Sequence, residues 1–191
     1  MRRRGWLILG SVCLVGALVA RAPKRAQAVT ATSAYAFSFT AIDGTPLPLE
    51  GFRGRPILVV NTASLCGFTD QYAGLQALWE RYRERGLVVL GVPSGDFNQE
   101  YSTNDKIKQF CEVNFAIDFP LTAKVHVRGA AAHPLFRWMV ERLGPEAEPR
   151  WNFHKVLIDG DGQPVRAFPT RTRPEDASVI AAIEAVLPPL G

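Results

Sequence analysis

The chain has 191 residues, 47% of them hydrophobic and 21% charged, a balance that supports a buried core and excludes a wholly disordered chain. Its formal net charge of +4 is carried by the start: residues 1–28 hold six basic residues and no acid, and without them 16 basic residues face 18 acidic ones, a net of −2. The remainder is mildly acidic, so charge gives no reason to expect a nucleic-acid partner, and three cysteines without zinc-site spacing exclude a disulfide scaffold or a zinc module.

Residues 1–28 read as an export signal. Arg2, Arg3 and Arg4 precede a 15-residue apolar run over 6–20, short for a membrane span of about 20 residues but suited to a signal core. Ala26 and Ala28 place small residues where a signal peptidase reads. An exported, periplasmic protein is expected. The alternative is an uncleaved anchor formed by residues 6–20, since Arg21, Lys24 and Arg25 follow the apolar run where basic residues hinder translocation.

Strands and helices then alternate over one domain, residues 36–188. Residues 36–42 read as a strand ending at the Asp43-Gly44 turn. Residues 57–61 (ILVVN) and 87–92 (LVVLGV) are apolar runs suited to strands buried on both faces. Between them Tyr72, Leu75, Leu78, Trp79 and Tyr82 recur at helical spacing, with Gly86 as the stop. Strand, helix, strand at this spacing predicts a parallel pair. Helices are expected over 106–115 and 134–143. A strand over 153–158 turns at 159–162 into another over 164–168. Thr172 and Glu175 form a capping-box pattern before a last helix carrying Val179, Ile180, Ile183, Val186 and Leu187. The fold class is α/β, with a mixed central sheet flanked by helices.

Cys66 stands in the turn between the 57–61 strand and the next helix, where open α/β sheets place reactive groups. A helix N-terminus favours the thiolate, the nucleophilic form. Thr69 occupies the position a second cysteine of a Cys-x-x-Cys pair would take, so a dithiol cycle at this turn is excluded.

The segment Asn61-Thr62-Ala63-Ser64-Leu65-Cys66-Gly67-Phe68-Thr69 resembles the active-site segment of the glutathione peroxidases, with cysteine where some members carry selenocysteine. Residues 87–93 (LVVLGVP), residues 132–138 (AHPLFRW) and Trp151-Asn152-Phe153-His154-Lys155 resemble further family segments in the same order. The resemblance spans roughly residues 37–187 and implies a thioredoxin-like fold. It also implies an antioxidant peroxidase that reduces hydrogen peroxide and organic or lipid hydroperoxides, with glutathione or thioredoxin as reductant. On this reading Cys66 attacks the peroxide and becomes a sulfenic acid, while the Trp151 indole N–H and the Asn152 amide donate hydrogen bonds.

The sequence departs from the family at Asp96, which stands at the position of a catalytic Gln. Either Asp96 is protonated and donates, or it turns away and a neighbour, Asn98 or Gln99, substitutes. Cys111 is the candidate resolving cysteine for thioredoxin-linked turnover, the alternative being a core residue. His154, Lys155 and Arg128 read as surface groups and His133 as a residue starting a helix; Lys155 and Arg128 are the cations an anionic thiol would meet. No phosphate loop, flavin motif or metal motif is present, so no cofactor is expected. The 144–150 segment is short, and since longer insertions there accompany oligomers in the family, the resemblance implies a monomer. Two other readings are an exported thioredoxin-like disulfide reductase or redox partner, and a non-enzymatic binding domain, which a solvent-inaccessible Cys66 would favour.

Overall fold

The computed structural model describes residues 31–189. The export or anchor segment read from residues 1–28 lies outside the described residues. Among the described residues no helix is long and apolar enough to cross a membrane.

Two short strands open the fold, β1 (Ser38–Thr40) and β2 (Pro46–Pro48), paired antiparallel. Between them Gly44 takes a left-handed φ of 91°, and Asp43 Oδ1 accepts from the Thr45 N–H at 3.0 Å. The strand expected over 36–42 is therefore shorter, because residues Ala34–Ala36 form a 3₁₀ turn instead. β2 has prolines at both ends and no alternation that marks a strand.

The main sheet has four strands in the order β4-β3-β5-β6: β3 (Ile57–Thr62), β4 (Val88–Pro93), β5 (Lys155–Ile158) and β6 (Pro164–Phe168). β3 and β4 are parallel, and β3–β5 and β5–β6 are antiparallel, so the sheet is mixed. Every residue of β3 and β4 is buried, as their unbroken apolar runs require. α1 (Gln71–Tyr82) supplies the crossover that a parallel pair requires. A 3₁₀ turn over Arg83–Arg85 then ends at Gly86, whose φ is 101°.

Alternating strand residues feed two cores. Leu58, Val60 and Leu157 pack with α1, with α2 (Asn104–Phe115) and with α4 (Ala177–Val186). Ile57, Val59, Leu90 and Val156 pack on the other face with α3 (Pro134–Leu143) and the β1 segment. α3 begins where His133 Nδ1 accepts the Leu135 N–H at 3.3 Å, and the His133 ring stacks on Phe39. The capping box expected at Thr172 and Glu175 does not form. Glu175 instead accepts from Arg173 at 2.9 Å, and α4 starts only after Asp176, whose Oδ2 accepts the Arg173 N–H at 2.9 Å.

Candidate active site

β3 ends on Asn61 and Thr62, and the chain then crosses the surface at exposed Leu65 and Gly67 while Cys66 turns inward, 5% exposed. Cys66 is thus buried without being sealed. α1 begins five residues later, at Gln71. The helix field falls off within about one turn, so it reaches Cys66 less than the sequence suggests. The loop is fixed from the β4–α2 connection: the Leu65 N–H donates to Gln99 O at 2.9 Å and the Ser64 N–H to Glu100 Oε1 at 3.1 Å. Burial raises the Glu100 pKa, offset in part by hydrogen bonds from Ser64 and from the Tyr101 N–H.

The strand expected over 153–158 starts only at Lys155, because Phe153 adopts a left-handed φ of 62°. Such a conformation in a bulky residue needs support, and Asn61 provides it. Its carbonyl accepts the Phe153 N–H at 2.6 Å, its Oδ1 accepts the His154 N–H at 3.1 Å, and its Nδ2 donates to Trp151 O at 3.1 Å. The residue five places before Cys66 therefore clamps the whole Trp151–His154 turn against the end of β3. The structure brings Trp151 and Asn152 beside the Cys66 loop in this way. Trp151 is 41% exposed, its ring 5.3 Å from that of Phe97, and Asn152 is fully buried.

Asp96 does not take part in this cluster. It is turned to the 126–128 segment, where its Oδ1 meets His126 Nδ1 at 2.5 Å and its Oδ2 accepts the Val127 and Arg128 N–H groups at 2.7 and 3.3 Å. Burial would raise its pKa, but the His126 contact and the backbone donors outweigh it and hold the carboxyl below its usual value. Asp96 is a carboxylate that accepts, not a neutral acid that donates. The amide in reach of Asn152 belongs to Gln99: Asn152 Nδ2 and Gln99 Oε1 lie 2.9 Å apart. Asn98 serves the turn, with φ 56° and its N–H on Gly95 O at 3.0 Å. Asn152 Oδ1 is buried without a partner in this orientation. Rotating both amides keeps the pair and turns an Asn152 N–H toward that empty side.

Cys111 is fully buried on α2 in the same core layer as Cys66. Burial pushes its pKa up to about 11. Two residues read as surface groups are inside. His154 lies buried on β5's approach, its pKa pulled down to about 4 by burial and by the neighbouring charges of Lys155 and Arg150. Lys155 is fully buried, with three acceptors. Arg128 is exposed and lies over the Phe97 ring. Buried Lys155 is not open to an anionic thiol as the sequence reading had it, and Asn61 carries no site assignment of its own on sequence grounds, yet a signal exists for both. Each is a polar residue at the end of an otherwise apolar strand, and a buried polar group must find partners. Among the described residues no group of three or more His, Cys, Asp or Glu is placed to hold a metal ion.

Comparison with known proteins follows this geometry. A family model described as "Glutathione peroxidase" matches residues 34–140. The chain is 43% identical over 162 residues to the hydroperoxy fatty acid reductase gpx1 of Synechocystis sp., covering 80% of this chain and 95% of that protein. It is 41% identical over 137 residues to the glutathione peroxidase-like peroxiredoxin gpx1 of Schizosaccharomyces pombe, covering 70% and 86%. The crystal structure of T. cruzi GPX1 superposes with a TM-score of 0.64 at 31% identity, covering 81% of this chain and 95% of that one. A thiol:disulfide interchange protein of Chlorobium tepidum superposes at 0.60 with 15% identity, a likeness in fold alone. The family model spans more than half of the chain and both relatives are over 40% identical across most of their length, so the chain belongs to the glutathione peroxidase family and is a peroxidase.

Proposed function

We propose that the thiol-dependent hydroperoxide reduction of this chain runs through Cys66, with Trp151, Asn152 and Gln99 as its neutral donors. The Cys66 thiolate attacks the distal peroxide oxygen and the O–O bond breaks. Sulfur takes that oxygen and becomes a sulfenic acid, and the other oxygen leaves as water or an alcohol after gaining a proton. Donors aimed at this departing oxygen lower the barrier without adding charge. The observation that carries this reading is the Asn61 clamp, which sets Trp151 and Asn152 against the strand that leads to Cys66.

A thiol then attacks the sulfenic acid and releases water, forming a mixed disulfide, and a second thiol releases Cys66 as a thiol. Glutathione supplies both thiols, or Cys111 supplies the first and thioredoxin reduces the resulting disulfide. In place, Cys111 is a poor nucleophile, because a thiol with a pKa of about 11 is almost wholly protonated near neutrality. The second route therefore requires α2 to open. The enzyme works as a monomer outside the cytoplasm and limits oxidative damage there. The basic and apolar pattern of residues 1–28 supports export. Peroxide consumption by residues 29–191, with glutathione and thioredoxin compared as reductants, tests the assignment, and unchanged consumption by Cys66→Ser would refute it.

A further inference from the structure

Lys155 is a charged side chain that the chemistry above does not use, and it is fully buried. Its ammonium donates three hydrogen bonds: to Gln71 Oε1 at 2.7 Å, to Phe153 O at 2.7 Å and to Thr172 O at 2.8 Å. Gln71, the first residue of α1, is also fully buried and donates from Nε2 to Thr170 O at 2.7 Å. Thr170 Oγ1 in turn donates to Asn152 O at 2.8 Å. The contacts close into one network. It joins the helix that follows the Cys66 loop, the β6–α4 connection, and the consecutive carbonyls of Asn152 and Phe153.

Asn61 Nδ2 holds the Trp151 carbonyl and Thr170 Oγ1 the Asn152 carbonyl, so both peptide planes flanking the Asn152 Cα are fixed, and with them the direction in which its side chain leaves the backbone; Lys155 fixes the next plane through the Phe153 carbonyl. The left-handed Phe153 between Asn152 and Lys155 makes that restraint necessary. We propose that Lys155, as an ammonium and through Gln71 and Thr170, is a positioning residue that holds the Asn152 amide on Cys66. This rests on the reading of Asn152 as a donor to the reacting sulfur and peroxide.

The charge state matters to this geometry. An ammonium has three N–H donors for the three oxygens it faces, whereas a neutral amine has two and turns a lone pair on the third. The β6–α4 connection sets Asp176 and Glu175 nearby, which favour the ammonium, and Arg173, which opposes it. Asp70, preceding α1, is paired with Arg173 at 2.8 Å. His154, the residue before Lys155, is buried as well, and the Lys155 charge helps to hold its pKa low, at about 4. Burial outweighs the acidic neighbours and brings the Lys155 pKa down to about 7. The network therefore loosens as the pH rises through neutrality.

The test is the second-order rate constant for Cys66 oxidation by hydrogen peroxide, measured on the full chain before any reductant acts. Lys155→Met should lower it about 10²-fold, the scale of an ångström-level misplacement, and should abolish the fall above neutral pH that the proposal expects of the wild type. Thr170→Val, nearly isosteric, should lower it by a smaller factor and carries the test if Lys155→Met fails to fold. In an Asn152→Ala background neither change should slow oxidation further, since the network then has no amide to aim. Wild-type rates in both variants, or losses that multiply with that of Asn152→Ala, would overturn the proposal. Undiminished peroxide consumption by Cys66→Ser would instead remove the site on which it rests.

Discussion

Cys66 and Cys111 share one apolar layer, but the backbone around each is held in opposite ways. The Cys66 loop is pinned through the Leu65 and Ser64 N–H groups, and the facing turn is clamped by both amide atoms of Asn61. α2, by contrast, buries fully only Ile107 and Cys111 of its twelve residues and leaves Val113 75% exposed. A segment with few buried apolar contacts opens at low free-energy cost. The difference matches two chemical tasks. Attack on a peroxide needs donors already in place, since reorganisation during reaction raises the barrier. Delivering a second thiol to an inward-facing first one needs a segment that can leave its seat.

The comparison breaks outright if Cys66→Ser still reduces peroxide with any reductant. Complete loss with an unchanged far-UV circular dichroism spectrum is expected, because the serine is nearly isosteric yet cannot form a sulfenic acid. The α2 side is probed by Cys111→Ser. It should eliminate thioredoxin-supported turnover and leave glutathione-supported turnover and the rate of Cys66 oxidation as they were. Thioredoxin-supported turnover at the wild-type rate would make Cys111 a packing residue.

On the rigid side, Asn152→Ala should slow sulfenic acid formation about 10²–10³-fold, the usual cost of one preorganised donor. Stopped-flow kinetics would show it. The smallest effect belongs to Asp96→Asn. That change should cost about 1–2 kcal/mol, because it weakens charge-assisted contacts to His126, Val127 and Arg128. Cys66 oxidation should be unaffected. Because the folded-state pKa of Asp96 lies below its ordinary value, its contribution is fully present above the unfolded pKa of about 4. It is lost as pH falls through the folded pKa. Wild type and variant should therefore differ in melting temperature at pH 7 and converge in acid.

The sheet and its helices were legible because β3 and β4 are unbroken apolar runs and α1 and α3 are strongly periodic. The start of β5 was not, because nothing in Trp-Asn-Phe-His-Lys announces a left-handed phenylalanine. Its conformation is imposed by Asn61, some ninety residues away. Ordered motifs and local chemistry single out Cys66, Trp151 and Asn152 as the proposed site, and the fold holds the Trp151–Asn152 turn against the strand that leads to Cys66. The contacts of Asp96 were not legible, since a carboxylate and its donors look alike in sequence whether it faces the thiol or His126. Lys155 misled for a related reason: a lysine between His and Val reads as a surface charge until its three acceptors are brought together by the fold.

The account turns on Cys66 being the atom that peroxide oxidises. Adding one equivalent of hydrogen peroxide to the reduced Cys111→Ser protein, with a sulfenic-acid trap present, measures this directly by peptide mass spectrometry. One trapped adduct per chain on the Cys66 peptide, formed as the peroxide disappears, is the expected result. Peroxide consumed while Cys66 remains an unmodified thiol would contradict it.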